Sequence, residues 1–160
     1  MVVVFFGKRN SGKTTLCRNF YQWVRSNTPL RVHYIDNDKF RFIFNLKSFD
    51  KKTEMELLEK ASVIAKYEQS LNDLVLISMS FAYDNLRKKL SSENKVLWIY
   101  TNHQSENRPT NKKDFDDFEE PEGVFTINTD ALSTEESLNE VIEKYKEFCL
   151  VSHKKSNYAH

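Results

Sequence analysis

Glycine is nearly missing from this chain of 160 residues: it occurs three times, as Gly7, Gly12 and Gly123, where ordinary usage of about 7% would supply roughly eleven. With only three prolines as well, collagen-like and low-complexity chains are excluded. Cysteine is almost as scarce. Cys17 and Cys149 lie too far apart for a zinc or redox motif, and no structural disulfide is expected. His33, His103, His153 and His160 form no ligand spacing. No stretch approaches the roughly 18 apolar residues of a membrane span. The opening apolar run, Val2 to Phe6, lacks the charged leader and cleavage site of a signal peptide. A cytoplasmic protein without a membrane partner is the expectation. A dominant charge is missing too: 24 Lys and Arg face 23 Asp and Glu, a net of +1. The total carries no general attraction to polyanions, so nucleic acid is not the favoured partner.

What the chain does have is an apolar fraction of 39%, enough for one buried core at this length. A single domain over residues 1–151 is expected, with a frayed tail at 152–160. Charge balances only in sum. Residues 1–50 hold nine Lys/Arg against three Asp/Glu, and residues 112–147 hold four against twelve. A basic first third lining a cleft favours a phosphorylated ligand; solvated helix faces are the plainer reading.

Val2 to Phe6 reads as a strand buried on both faces. Lys13 to Ser26 favours helix, ended by Thr28-Pro29. Arg31 to Ile35 alternates as a second strand and ends at Asp36. Within residues 53–71, Leu57, Ala61, Ile64 and Leu71 recur at helical spacing and define one apolar face. Leu74 to Met79, Val96 to Tyr100 and Val124 to Asn128 read as strands, and Tyr83 to Ser91 as a short helix. Ser133 and Glu136 make a capping box ahead of Leu138, Val141, Ile142, Tyr145 and Cys149 on one helical face. Five buried strands separated by helices predict an open parallel α/β sheet. The polar, acidic residues 103–122, with Pro109 and Pro121, are long enough to serve as a lid. Trp23 and Trp98 are expected to pack rather than to stack on bases, and Cys17 to be a small buried residue.

Two of the scarce glycines frame Gly7-Lys8-Arg9-Asn10-Ser11-Gly12-Lys13-Thr14, a Gly-x-x-x-x-Gly-Lys-Thr loop between a predicted strand and a predicted helix. That context identifies a phosphate-binding P-loop, and with the strand pattern it predicts a three-layer P-loop NTPase fold with a five-stranded parallel sheet flanked by helices. Gly7 and Gly12 free the backbone to turn its N–H groups on an anion, with Asn10 and Ser11 between them, and the helix adds its positive end. ATP is the expected ligand. Lys13 is assigned to the β- and γ-phosphates, Thr14 to Mg²⁺ and Thr15 to the α-phosphate. No Asn-Lys-x-Asp guanine reader follows the fourth strand; Asn111-Lys112-Lys113-Asp114 is the nearest match and lies in the insertion. A small-molecule or nucleotide kinase is therefore favoured over a GTPase.

The second strand ends in Asp36-Asn37-Asp38-Lys39-Phe40-Arg41, at the sheet edge where open α/β sheets bind ligands. Asp36 is assigned to the Mg²⁺ shell and to the proton of an attacking hydroxyl, Asp38 to holding the acceptor, and Arg41 to an anionic part of it. A capped turn with solvated charges is the alternative.

With these residues the chain, over roughly residues 2–149, resembles the adenylylsulfate (APS) kinase family. Asp36, Asp38 and Arg41 match its Asp-Gly-Asp-x-x-Arg segment, with Asn37 for the glycine. Ser78 to Tyr83 with Arg87, residues 113–121, and Ile127-Asn128-Thr129-Asp130 resemble further segments. The resemblance implies ATP-dependent phosphorylation of the 3′-hydroxyl of adenylylsulfate. It implies that Phe49 and Phe115 face each other across the acceptor, that Ser80 lies beside it, and that Thr129 lies near the adenine. Two positions depart: Glu54 stands where the family has an arginine and Leu57 where it has an asparagine, both acceptor-holding. A carboxylate at 54 would repel a dianion. The Arg-Asp-x-Lys-Gly-Leu-Tyr lid stretch is absent, so Arg108 is assigned to transition-state charge, a solvated loop arginine being the alternative. A kinase of nucleotides, nucleic-acid ends or modified bases, and a nucleotide-binding protein without turnover, are the competing readings. A homodimer is left open.

Overall fold

β1 (Val2–Phe6) is apolar at every position because both of its faces are covered: all five residues are fully buried. The computed structural model of the protein describes residues 1–103 and 117–156. After β1 come α1 (Lys13–Asn27), β2 (Val32–Asp36), α2 (Asn37–Ile43), α3 (Lys51–Leu71) and β3 (Leu74–Ser78). They are followed by α4 (Asp84–Glu93), β4 (Val96–Asn102), β5 (Phe125–Asn128) and α5 (Thr134–Ser156). The five strands form one sheet in the order β2-β3-β1-β4-β5, with every pairing parallel.

Alternation along the strands divides the core into two layers. Val2, Val4 and Phe6 pack with Val75, Ile77 and the buried faces of α3 and α4, among them Leu57, Leu58, Ala61, Leu86 and Leu90. Val3 and Phe5 point the other way, onto Leu16, Cys17, Phe20 and Val24 of α1 and Val141, Ile142 and Tyr145 of α5. The result is the expected three-layer α/β sandwich. The chain leaves β1 toward one edge of the sheet and leaves β3 toward the other. The loops after these neighbouring strands therefore part at the C-terminal edge, the usual place of a ligand crevice.

Most predicted elements are present within one or two residues. The capping box at α5 is reciprocal: Ser133 N–H donates to Glu136 Oε2 at 2.8 Å and Glu136 N–H to Ser133 Oγ at 3.2 Å. Trp98 packs edge-on against Phe6 and Phe81, and Trp23 stacks on Phe20. Three features differ from expectation. Leu71, placed on the buried face of α3, is 48% exposed, because the apolar stripe turns away from the sheet in the last turn. The short α2 was not foreseen; at seven residues it is too short for periodicity and is started by the Asp36 cap. α5 continues to Ser156, past the expected start of the tail. Arg108 and Phe115 lie outside the described residues.

Candidate active site

The phosphate loop is held from beneath by β4. Thr101 Oγ1 donates to the carbonyl of Phe6 at 3.1 Å and shares a 2.7 Å hydrogen bond with Ser11 Oγ, both buried. Gly7 (φ +148°) passes so close that a Cβ there would overlap the Thr101 carbonyl oxygen and come within 2.9 Å of Ser11 Oγ. Gly12 (φ +85°) is the N-cap of α1 and supplies no side-chain cap, so the first N–H groups of a fifteen-residue helix open onto the loop. Asn10 also takes a left-handed backbone, φ +62°, which asparagine tolerates better than most residues. Lys13 Nζ donates to the Lys8 carbonyl at 3.0 Å, across the mouth of the loop.

Beyond α1, Thr129 Oγ1 donates to the carbonyls of Ser11 (3.1 Å) and Asn102 (3.2 Å). A cleft there is lined by Gly12, Thr15, Leu16, Thr129, Leu132 and Thr134. His103 Nδ1 lies 2.6 Å from Asp130 Oδ1 at its rim. Ser11, Thr15 and Thr129 thus lie around the start of α1, with Ser11 turned inward to Thr101.

On the other side, Thr14 Oγ1 shares a 3.0 Å hydrogen bond with Ser78 Oγ at the end of β3, and Ser78 stands in register with Asp36 on β2. The Asp36 carboxylate is buried and accepts four hydrogen bonds. Oδ1 takes the N–H groups of Asp38 (3.1 Å) and Lys39 (3.3 Å), which makes Asp36 the cap of α2. Oδ2 takes the Tyr34 hydroxyl (2.9 Å) and the Arg18 guanidinium (3.3 Å). Burial pushes the Asp36 pKa up, but the Tyr34 hydroxyl, the two N–H groups and the Arg18 charge outweigh it. The net direction is below the ordinary value of 3.8. Burial raises the Tyr34 pKa, reinforced by the neighbouring Cys17 and Asp36, so Tyr34 stays a protonated donor. All of the carboxylate's usual acceptor positions are filled. The Arg18 side chain, 60% exposed, is the partner easiest to exchange for a cation. A hydroxyl and a carboxylate are oxygen donors suited to a hard divalent ion, so Thr14 and Asp36 fit Mg²⁺ once Arg18 gives way.

Asp38 is exposed and accepts from Asn37 Nδ2 at 3.2 Å. Asn37 needs no glycine-like backbone because it opens α2. Arg41, by contrast, is buried. It donates to the carbonyls of Ser48 (2.7 Å) and Leu46 (3.4 Å) and to Glu54 Oε2. Glu54 Oε1 accepts from Ser80 Oγ, and Leu57 is core. Phe49 lies under two guanidinium groups, Arg41 at 4.4 Å and Arg9 of the phosphate loop at 4.6 Å from the ring centre. Residues 117–120 close this side. Asp117 pairs with Lys51 and accepts from Tyr83; Glu120 pairs with Lys8 at 2.6 Å and accepts from Tyr100. Sequence reasoning missed Arg18, Tyr34 and Thr101 and the roles of Ser78, Arg9 and Glu120: Ser78 and Thr101 are placed by neighbouring strands, Arg18 by the packing of α1, and Glu120 by the return of residues 117–120 to Lys8.

No family model matches the chain, and no curated protein matches it. Solved structures do. An APS kinase from Mycobacterium tuberculosis in complex with AMPPNP and APS superposes with a TM-score of 0.75 at 14% identity, over 91% of this chain and 96% of that one. The fold is the three-layer α/β P-loop fold. A hexameric APS kinase from Thiobacillus denitrificans gives a TM-score of 0.74 at 18% identity, and this chain spans 29% of its length. A gluconokinase from Sinorhizobium meliloti gives 0.66 at 12% identity over 99% of this chain and 97% of that one. Kinases named for chemically different substrates thus share this fold. No helix among the described residues is long and apolar enough to cross a membrane.

Proposed function

We propose that the protein is an ATP-dependent phosphotransferase that moves the γ-phosphate of ATP to a hydroxyl of a small acceptor held between α2, Phe49 and Ser80. The observation that carries this reading is the link between donor and acceptor sides: Thr14, next to the phosphate-loop lysine, bonds Ser78, and Ser78 is in register with the buried carboxylate of Asp36. A protein that only held nucleotide would have little use for a shielded carboxylate at the end of β2, two strands over from β1 and its loop.

In this reading the backbone from Gly7 to Gly12 and the start of α1 cradle the phosphates. Lys13 leaves the Lys8 carbonyl to neutralise the β- and γ-oxygens. Thr15 holds the α-phosphate, and Thr129 borders the nucleoside. Thr14 and Asp36 would hold Mg²⁺, which neutralises charge on the β- and γ-phosphates when bound. With Mg²⁺ at the Oδ2 position that Arg18 vacates, the acceptor hydroxyl displaces the Tyr34 hydroxyl from the other Oδ2 position of Asp36 and passes its proton there as the new P–O bond forms and the bond to ADP breaks. A carboxylate of low pKa serves, because phosphoryl transfer asks chiefly for positioning. Asp38 and Phe49 border the acceptor, and Arg108 and Phe115 complete the site from the insertion. Adenylylsulfate, the acceptor implied by the family resemblance, is the reference substrate.

The test is ATP consumption with a panel of hydroxyl acceptors, run on the native protein, Lys13→Ala and Asp36→Asn. Turnover lost in both variants, with ATP binding retained in Asp36→Asn, is the expected result. Full activity in Asp36→Asn would remove the role given to that residue, and ATP binding without turnover on any acceptor would favour a non-catalytic nucleotide binder.

A further inference from the structure

Among the described residues, four cations on the acceptor side pair with carboxylates. Lys8 lies 2.6 Å from Glu120, Lys51 2.6 Å from Asp117 and Arg18 3.3 Å from Asp36. These three pairs are partly exposed and exchange readily. The fourth does not: Arg41 is 7% and Glu54 1% exposed, and they meet in a direct ion pair between α2 and α3. Arg41 is fixed further by the carbonyls of residues 46 and 48, and Glu54 by Ser80. Arg9 rests on the Phe49 ring. Among the described residues, the buried Nε of Arg41 has no hydrogen-bond partner.

A buried guanidinium is strongly attractive to an anion only while its own charge is uncompensated. With Glu54 in contact, an anion placed against Arg41 meets attraction and repulsion of comparable size, and must shed its hydration for no net gain. We propose that Glu54 is a specificity-determining residue: by neutralising Arg41 it makes the acceptor side select an uncharged hydroxyl compound, a polyol or nucleoside, over one carrying a phosphate or phosphosulfate. The inference rests on the phosphotransferase reading above and names its substrate class.

The experiment uses matched acceptors that differ only by a charged group: adenosine against adenosine 5′-monophosphate and adenylylsulfate, and uncharged sugars against their monophosphates. ATP consumption and product are followed for the native protein and Glu54→Gln. In the native protein the uncharged member of a pair has the higher kcat/KM. In Glu54→Gln, which keeps hydrogen-bonding atoms toward Ser80 and Arg41, the ratio moves toward the charged member by about tenfold or more, the size of one lost charge contact. Preference for the anionic member in the native protein, or a ratio unchanged in a folded Glu54→Gln, overturns the proposal and leaves the kinase reading standing. Absence of turnover with every acceptor, while ATP still binds, overturns both. The native arm decides the question even where the variant folds poorly.

Discussion

Replacing the three glycines by alanine should cost stability in a graded order that isolates what the phosphate loop demands of its backbone. Gly123 has φ +67° and open space around its missing side chain. Alanine there meets only the left-handed penalty, about 1–2 kcal/mol, partly offset by a stiffer unfolded chain. Gly12 adds a 3.2 Å approach to the Thr129 methyl group, which can shift by a few tenths of an ångström, so a cost of about 2 kcal/mol is expected. At Gly7 the obstacle is backbone. The Thr101 carbonyl belongs to a strand paired on both sides and cannot withdraw without breaking the sheet beneath the loop. Backbone strain and overpacking together give about 3–5 kcal/mol. Urea unfolding of the unliganded variants, followed by tryptophan fluorescence, reads all three, and titration with a fluorescent ATP analogue reads the loop itself. Gly7→Ala should also lose ATP affinity, whereas Gly123→Ala should keep it. A Gly7→Ala cost within about 1 kcal/mol of Gly123→Ala would refute the argument that β4 packs against the loop at this point.

In a double-mutant cycle, Glu54→Leu should cost about 3–5 kcal/mol, because it strands a buried guanidinium. The same change in an Arg41→Met background should cost far less, as read by urea unfolding; equal costs in both backgrounds would mean that the pair is not coupled. Thr101→Val removes the bonds to Ser11 and Phe6 and should cost about 1–3 kcal/mol and weaken ATP binding measured by calorimetry. Because Asp36 titrates below its ordinary 3.8, it contributes stability that is present above that value and lost as pH falls through the lower, folded one. Tyr34→Phe deletes one of the donors responsible, so the acid limb of the stability profile, followed by circular dichroism, should move to higher pH. An unmoved limb would show that the Tyr34 hydroxyl does not hold Asp36.

The phosphate loop was readable along the chain because its parts are consecutive: a buried strand, two glycines five positions apart, Lys13, Thr14 and a helix. Local order is enough to aim those N–H groups. The five strands and most helices were equally legible, since each carries its own periodicity. α2 was not, since a seven-residue helix offers no repeat and depends on one side-chain cap. The acceptor side shows the same division. The sequence placed Asp36, Asp38, Arg41 and Glu54 near a sheet edge and set a carboxylate against the anion that Arg41 was expected to bind.

Residue identity alone determined that the protein has a P-loop, a parallel α/β sheet and an acid after β2. Tertiary structure decided what surrounds that acid and what the charges do to one another. Strand register sets Ser78 beside Asp36, Arg18 reaches Asp36 only because α1 packs over the sheet, and Glu54 meets Arg41 only because α3 packs against α2. Charges thirteen residues apart in the chain have no fixed separation until packing sets it, and at contact in a buried layer they cancel. A glutamate that reads in sequence as repelling the acceptor's anion is, in the fold, the partner that neutralises Arg41.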